Sequence, residues 1–181
     1  MKKLLGLFAL LAFATLPAMA QLDATPKLEV GGGYLYRSYN VQFLPRVNEN
    51  GFFVTADYNI NSWLGVDLDF DGGYTSVEGT NVDQYTYMFG PQIYPLGHHK
   101  ITPFVHALFG GSAFLIPEVS VANNNAFAMA IGGGVDWRAT QHIAIRLAEG
   151  EYELNRNFGA GTGGNPNQNN FKVKAGVIFT F

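Results

Sequence analysis

The sequence has no cysteine among its 181 residues. The chain therefore has no disulfide, no thiol nucleophile and no cysteine-ligated metal, and its stability has to come from the fold alone. Positive charge is also scarce, because 11 Lys and Arg stand against 14 Asp and Glu. A weakly acidic chain with no basic cluster lacks the electrostatic footprint of a nucleic-acid-binding protein, so no nucleic-acid partner is expected.

Long hydrophobic runs are missing from all but the N-terminus. There, Lys2 and Lys3 precede an apolar run from Leu4 to Leu16, and Ala18-Met19-Ala20 supplies the small residues of a cleavage site. The pattern predicts a secretory signal peptide at residues 1–20, because the run is too short for a membrane anchor. The mature chain, 21–181, then carries 9 Lys and Arg against 14 acids, a formal charge of −5.

After residue 20, charged residues, glycine or amides interrupt every apolar stretch before it reaches the length of a transmembrane helix. The mature chain is therefore either soluble or a membrane β-barrel. A closed barrel is the only β-structure that spans a bilayer, because lipid offers no hydrogen-bond partners to backbone groups.

Alternation of apolar and polar residues is the strongest pattern in the chain. It is strict in two segments. In the first, one face carries Leu64, Val66, Leu68 and Phe70 and the other Gly65, Asp67, Asp69 and Asp71. In the second, one face carries Phe171, Val173, Ala175, Val177, Phe179 and Phe181 and the other Lys172, Lys174, Gly176, Ile178 and Thr180. A period of two indicates a strand with two different faces. Six further segments alternate less strictly, which gives eight predicted strands, at about 28–39, 52–60, 63–71, 85–94, 102–114, 126–138, 143–154 and 171–181.

The connections between these strands alternate in length. Short turns are predicted at 61–62, 95–100 and 140–142, and long polar loops at 40–50, 75–83, 115–125 and 155–169. The sequence therefore predicts an all-β fold, an eight-stranded antiparallel barrel in up-and-down order. Outer-membrane barrels have short periplasmic turns and longer external loops, so both chain ends are expected on the periplasmic side.

A soluble lipocalin-like barrel or β-sandwich has the same alternation with the opposite orientation. Its charged residues, at every second position of a strand, face water, and its apolar residues fill the core. Strand lengths of about 9 to 13 residues, the loop asymmetry and a last strand that ends on Phe181 favour the membrane version.

A family resemblance supports this interpretation. The last strand, with apolar residues at every second position from Phe171 to Phe181, resembles the insertion signal of outer-membrane barrels. Further segments that carry the resemblance are Met88-Phe89-Gly90-Pro91-Gln92, Thr102-Pro103-Phe104-Val105-His106-Ala107-Leu108-Phe109-Gly110-Gly111, Gly132-Gly133-Gly134-Val135-Asp136, Ile145-Arg146-Leu147 and Glu151-Tyr152. The chain resembles the OmpA-like and OmpX-like small eight-stranded barrels, and more closely the outer-membrane protein β-barrel domain family. The resemblance implies the bacterial outer membrane as location, and outer-membrane lipids and the outer-membrane assembly machinery as partners.

The charged parity of a membrane barrel faces the lumen. This places six acids, Glu29, Asp57, Asp67, Asp69, Asp71 and Asp136, opposite five bases, Arg37, Arg138, Arg146, Lys172 and Lys174. An eight-stranded barrel is just wide enough to be filled by side chains, so these charges are expected to pair as a plug. A narrow or gated pore is the alternative. In the seventh strand Arg146 and Glu151 have opposite parity, so either a bulge brings both inside or the strand has already left the membrane.

The expected role is structural, or interaction with an unspecified extracellular ligand through four external loops. No catalytic residue is predicted. A lipid-modifying enzyme is less favoured, because such an enzyme needs a Ser–His pair near the external loops. Near these loops lie Ser38, Ser76 and Ser120, whereas His98, His99 and His142 lie on the opposite side and His106 lies within a strand. No cofactor or metal site is predicted. Asp67, Asp69 and Asp71 share a face but lack the loop and the later glutamate of an EF-hand.

Overall fold

The structure, a computed structural model, describes residues 25–39, 46–77, 80–115, 124–156 and 167–181. The predicted signal peptide, residues 1–20, lies outside the described residues. The described residues form eight β-strands: β1 (Leu28–Tyr39), β2 (Val47–Asn59), β3 (Leu64–Val77), β4 (Thr80–Ile93), β5 (Ile101–Leu115), β6 (Asn124–Arg138), β7 (Ile143–Arg156) and β8 (Asn167–Thr180). Within this part of the chain, no helix is long and apolar enough to cross a membrane.

Each strand pairs antiparallel with the next, and β1 pairs with β8, so the sheet closes on itself. The closing ladder runs from the pair Glu29 and Thr180 to the pair Tyr39 and Asn170. At one end of it the Phe181 N–H donates to the Leu28 carbonyl at 2.8 Å, and the Lys27 N–H donates to the Phe181 carbonyl at 3.0 Å. The predicted eight-stranded antiparallel meander is confirmed.

Three short turns lie at the end of the barrel where the closing ladder holds Phe181. In the first, the side-chain oxygen of Asn61 accepts hydrogen bonds from the backbone N–H groups of Trp63 and Leu64, each at 2.9 Å. In the last, the Thr140 hydroxyl accepts from the Ile143 N–H at 3.0 Å. Asn and Thr favour such turns because their short polar side chains replace a backbone partner. We call this the short-turn end and the opposite end the loop end.

The strands extend further toward the loop end than the alternation predicts. β2 begins at Val47 instead of residue 52, and β8 begins at Asn167 instead of residue 171. The prediction of a long loop at 75–83 was wrong, because β3 continues to Val77 and β4 starts at Thr80. A membrane strand needs only about 9–11 residues, whereas these have 12 to 15. In these added segments the outward positions are also polar, as at Asn48, Asn50 and Asn169, so the hydrophobic alternation fades while the backbone ladder continues.

The apolar parity faces outward and the charged parity faces inward. Leu68 is 57% exposed on the outer face, whereas its neighbours Asp67 and Asp69 are 1% and 3% exposed. A soluble barrel has the reverse arrangement, so this orientation excludes the lipocalin-like and sandwich alternatives. The outer face suits lipid and the inner face is a charged core.

We expect Leu68→Arg to destabilise the barrel in lipid, because Leu68 lies on the outer face midway through the apolar band of β3. An arginine at the bilayer midplane costs about 2–4 kcal/mol. The free energy of unfolding, measured by denaturant titration in phospholipid vesicles, tests this. Leu96→Arg is the matched control, since Leu96 lies in a turn and is 64% exposed. Equal losses in the two variants would contradict the lipid-facing assignment.

Candidate functional site

The lumen holds all eleven charged residues that the alternation assigns to it. Ten are at most 9% exposed, and the Arg138 side chain is 10% exposed. They come from six of the eight strands: Glu29 and Arg37 from β1, Asp57 from β2, Asp67, Asp69 and Asp71 from β3, Asp136 and Arg138 from β6, Arg146 from β7, and Lys172 and Lys174 from β8. The interior is therefore a charged core built by nearly the whole circumference.

A β-bulge in β7 adds three carboxylates to this core. The strand register shifts between Arg146 and Glu149, and Leu147 and Ala148 both face outward. After the bulge Glu149, Glu151 and Glu153 all face inward, each at most 1% exposed. Of the two alternatives for this strand, the structure therefore has the bulge. The sequence shows three glutamates at alternate positions in this segment, which indicates a shared face. Without a bulge, that face is opposite to the one that carries Arg146.

Glu49 is the fourth carboxylate that sequence reasoning missed. It lies before the predicted start of the second strand, yet β2 includes it and its side chain is fully buried. The lumen of the described strands thus contains ten acids and five permanently charged bases. This ratio differs from the near balance of six to five that the sequence predicts.

Arg146 has the most complete set of partners. Its Nε and Nη2 donate to the two oxygens of Asp136 at 3.0 and 3.1 Å, and its Nη1 donates to Glu149 at 2.6 Å. Its guanidinium also lies 4.4 Å from the centre of the Phe104 ring. Two parallel bonds to one carboxylate use the planar shape that distinguishes arginine from lysine.

The two lysines of β8 reach across the lumen to β3 and sideways to β7. Lys172 Nζ lies 2.8 Å from Asp71, 2.6 Å from Glu151 and 2.9 Å from Glu153. Lys174 Nζ lies 2.8 Å from Asp69 and 2.6 Å from Glu151. Because β3 and β8 are not neighbours in the sheet, these pairs connect opposite walls of the barrel.

Arg37 closes the network toward the loop end. Its Nη1 donates to Glu49 at 2.9 Å, and its Nη2 donates to Asp71 and, at 3.2 Å, to the Thr86 hydroxyl. Asp71 thus receives Arg37 and Lys172 together. The three neighbouring aspartates of β3 therefore have separate partners, since Asp67 binds Thr55 and His106 while Asp69 binds Lys174.

At the short-turn end, a polar cluster covers the lumen. Glu29 lies 3.4 Å from Arg138 and 3.4 Å from His98 Nε2, and it accepts a hydrogen bond from Asn59 at 3.0 Å. His98 comes from the turn between β4 and β5, and its ring centre lies 4.1 Å from that of Tyr94. His98 is thus only 8% exposed and folds over the barrel opening, although it lies in a turn.

The histidine contacts do not resemble a Ser–His pair. In the described part of the chain, His98 pairs with the Ser62 backbone carbonyl and Glu29. His106 pairs with Asp67 and Glu151. Their contacts are therefore those of a charged core instead of a nucleophile and its base.

Buried charges persist in a protein only when they are paired and hydrogen-bonded. In this lumen the long basic side chains supply that pairing, and their bulk fills the centre of a barrel that is only just wide enough for side chains. The charged core therefore connects opposite walls of the barrel. These features define the chain as an integral membrane β-barrel of the small, side-chain-filled class.

Comparison with known proteins identifies the family. The model of the outer membrane protein beta-barrel domain matches residues 6–179, so the chain belongs to that family, and the resemblance predicted from the sequence is confirmed. No curated protein matches the chain in sequence.

Solved structures with the same fold include three small outer-membrane proteins. Neisserial surface protein A is 13% identical, with a TM-score of 0.71, covering 88% of this chain and 100% of its own. OprG from Pseudomonas aeruginosa is 13% identical, with a TM-score of 0.61, covering 87% and 96%. Ail, the attachment invasion locus protein of Yersinia pestis, is 16% identical, with a TM-score of 0.56, covering 87% and 100%; it is also known in complex with the heparin analogue sucrose octasulfate. At these identities the similarity shows the fold alone.

We expect Arg146→Ala to lower the thermal midpoint of the refolded barrel strongly. Loss of one partner from a buried ion pair costs about 3–5 kcal/mol, since the carboxylates of Asp136 and Glu149 are left uncompensated. Thermal unfolding followed by circular dichroism in one detergent measures the effect. Arg156→Ala is the control, because Arg156 is exposed at the last position of β7. Equal small shifts in the two variants would contradict a stabilising plug.

Proposed function

We propose that the mature chain is a closed barrel of the bacterial outer membrane that presents surface loops and does not conduct solutes. In this proposal the segment 1–20 directs export and is removed, the short turns lie in the periplasm, and the loop end faces outward. The family membership and the inside-out distribution of charge support the location.

The observation that carries the proposal is the filled lumen. Four basic side chains, Arg37, Arg146, Lys172 and Lys174, are at most 2% exposed, and each contacts at least two carboxylates. A solute would have to separate several of these pairs at once in a medium of low polarity. Diffusion through such a core is energetically unfavourable, so the activity of the protein is assigned to its surfaces.

Loop composition favours a particular kind of contact. The connecting segments 40–45, 78–79, 116–123 and 157–166 contain no Lys, Arg or His and only two acids, Glu78 and Glu118. Amide and apolar side chains dominate them. A partner is therefore recognised mainly through hydrogen bonds and apolar contact.

Insertion is proposed to use the last strand. Phe171, Val173, Ala175, Val177, Phe179 and Phe181 form one outward row on β8 and the residue after it. This row contacts outer-membrane lipids in the folded state. Before folding, the same alternating apolar row supplies the signal that the outer-membrane assembly machinery binds.

A narrow or gated pore is the second candidate, and one observation favours it. Among the described residues the lumen carries twice as many acids as permanently charged bases, so any opening would attract cations. A catalytic role has no comparable support, because His98 and His106 contact buried carboxylates of the lumen.

Planar-bilayer recording of the refolded mature chain tests the proposal. We expect no steady conductance from the natural sequence. The double variant Lys172→Ala/Lys174→Ala removes two plug side chains and should produce intermittent steps that favour cations. Arg156→Ala, at the rim, should remain silent. Discrete, reproducible steps from the natural sequence would overturn the closed barrel and support the gated pore.

A further inference from the structure

One group of lumen side chains has the composition and geometry of a metal site. His106 on β5 and Glu149 and Glu151 on β7 are fully buried, and one ligand atom from each lies within 4.8 Å of the others. His106 Nε2 lies 3.4 Å from Glu151 Oε1 and 3.9 Å from Glu149 Oε1. Within the described residues this nitrogen has no hydrogen-bond partner, although it is sealed from water.

The strand register creates the space at this point. His106 pairs with Gly132 of β6, and Gly132 pairs in turn with Glu151, so the three residues form one row across three strands. A Cβ atom at Gly132 would lie 2.7 Å from Glu151 Cγ and 2.9 Å from His106 Nε2. Only glycine therefore lets the imidazole and the carboxylate approach each other above the sheet.

Asp67 orients the imidazole toward the two glutamates. Its Oδ2 lies 3.2 Å from His106 Nδ1, and its Oδ1 accepts a hydrogen bond from Thr55 at 2.7 Å. With the proton on Nδ1 donated to Asp67, the lone pair of Nε2 points at Glu149 and Glu151. A carboxylate behind the imidazole is the usual support of a metal-binding histidine.

The overall charge of the lumen also favours a bound cation. Ten carboxylates face five permanent bases in the described strands, so carboxylates remain in excess after every base is paired. Lys174 Nζ now bridges the two glutamates, at 2.6 Å from Glu151 and 3.3 Å from Glu149. It retains Asp69 at 2.8 Å as a partner when the glutamates bind another cation.

We propose that His106, Glu149 and Glu151 bind one divalent first-row transition-metal ion inside the lumen, with Asp67 as the positioning residue. An imidazole with two carboxylates suits Zn²⁺ and similar ions, whereas Ca²⁺ and Mg²⁺ prefer oxygen ligands alone. The proposal does not depend on whether the barrel conducts. The ion would join β5 to β7 across Gly132.

The test uses Zn²⁺ as the probe and the full mature chain. Because the lumen is closed, zinc is added during refolding, free metal is then removed, and the metal content is measured by elemental analysis. We expect one zinc ion per chain and a thermal midpoint above that of a sample refolded with chelator. A sample refolded with Mg²⁺ should show neither effect.

Variants locate the site. His106→Gln should abolish zinc retention and the zinc-dependent rise in thermal midpoint, and Asp67→Asn should weaken zinc binding about 10- to 100-fold. His98→Gln is the matched control, because His98 also contacts a buried glutamate but lies at the short-turn end; it should retain zinc. Refolded chains are compared at equal secondary-structure content.

Two outcomes would overturn the proposal. If the natural sequence retains no zinc, and His106→Gln lowers the thermal midpoint equally with zinc and with chelator, His106 is only a polar partner of the lumen carboxylates. If His106→Gln retains as much zinc as the natural sequence, the metal binds elsewhere.

Discussion

Closure of the sheet between β1 and β8 is the constraint on which the rest of the structure depends. In lipid an unpaired backbone N–H or C=O has no partner, so a membrane sheet with a free edge is not viable. The ladder from Glu29 and Thr180 to Tyr39 and Asn170 removes that edge. Closing eight strands also sets the internal width, which is just sufficient for the side chains that occupy the lumen.

The charged core follows from that width. Side chains on the inner face have no route to water, so each charge needs partners within the lumen. Lys172 and Lys174 on β8 meet that need because their long side chains span the distance to Asp71 and Asp69 on β3. The same pairs connect strands that share no backbone hydrogen bonds. Ion pairs therefore have here part of the role that apolar packing has in a soluble domain, beside a small buried apolar cluster of Met88, Leu108, Ala128 and Ala130.

The bulge in β7 shows how a local irregularity changes the chemistry of the interior. Without it, Glu149, Glu151 and Glu153 would point into lipid whenever Arg146 points inward. The two outward residues Leu147 and Ala148 reset the parity and bring all four charged side chains into the lumen. Most of the acid excess, and the cluster around His106, depend on this shift.

The sequence by itself determined the number of strands, their antiparallel order and the facing of the eleven predicted lumen charges, because side-chain direction in a strand is a local property with period two. It did not reveal the strand ends near the loops, since alternation fades where the outward residues are polar as well as the inward ones. Only the tertiary structure decided which charges meet. His106, Gly132 and Glu151 are far apart in the chain, and they form one row because the register of two ladders in a closed barrel aligns them.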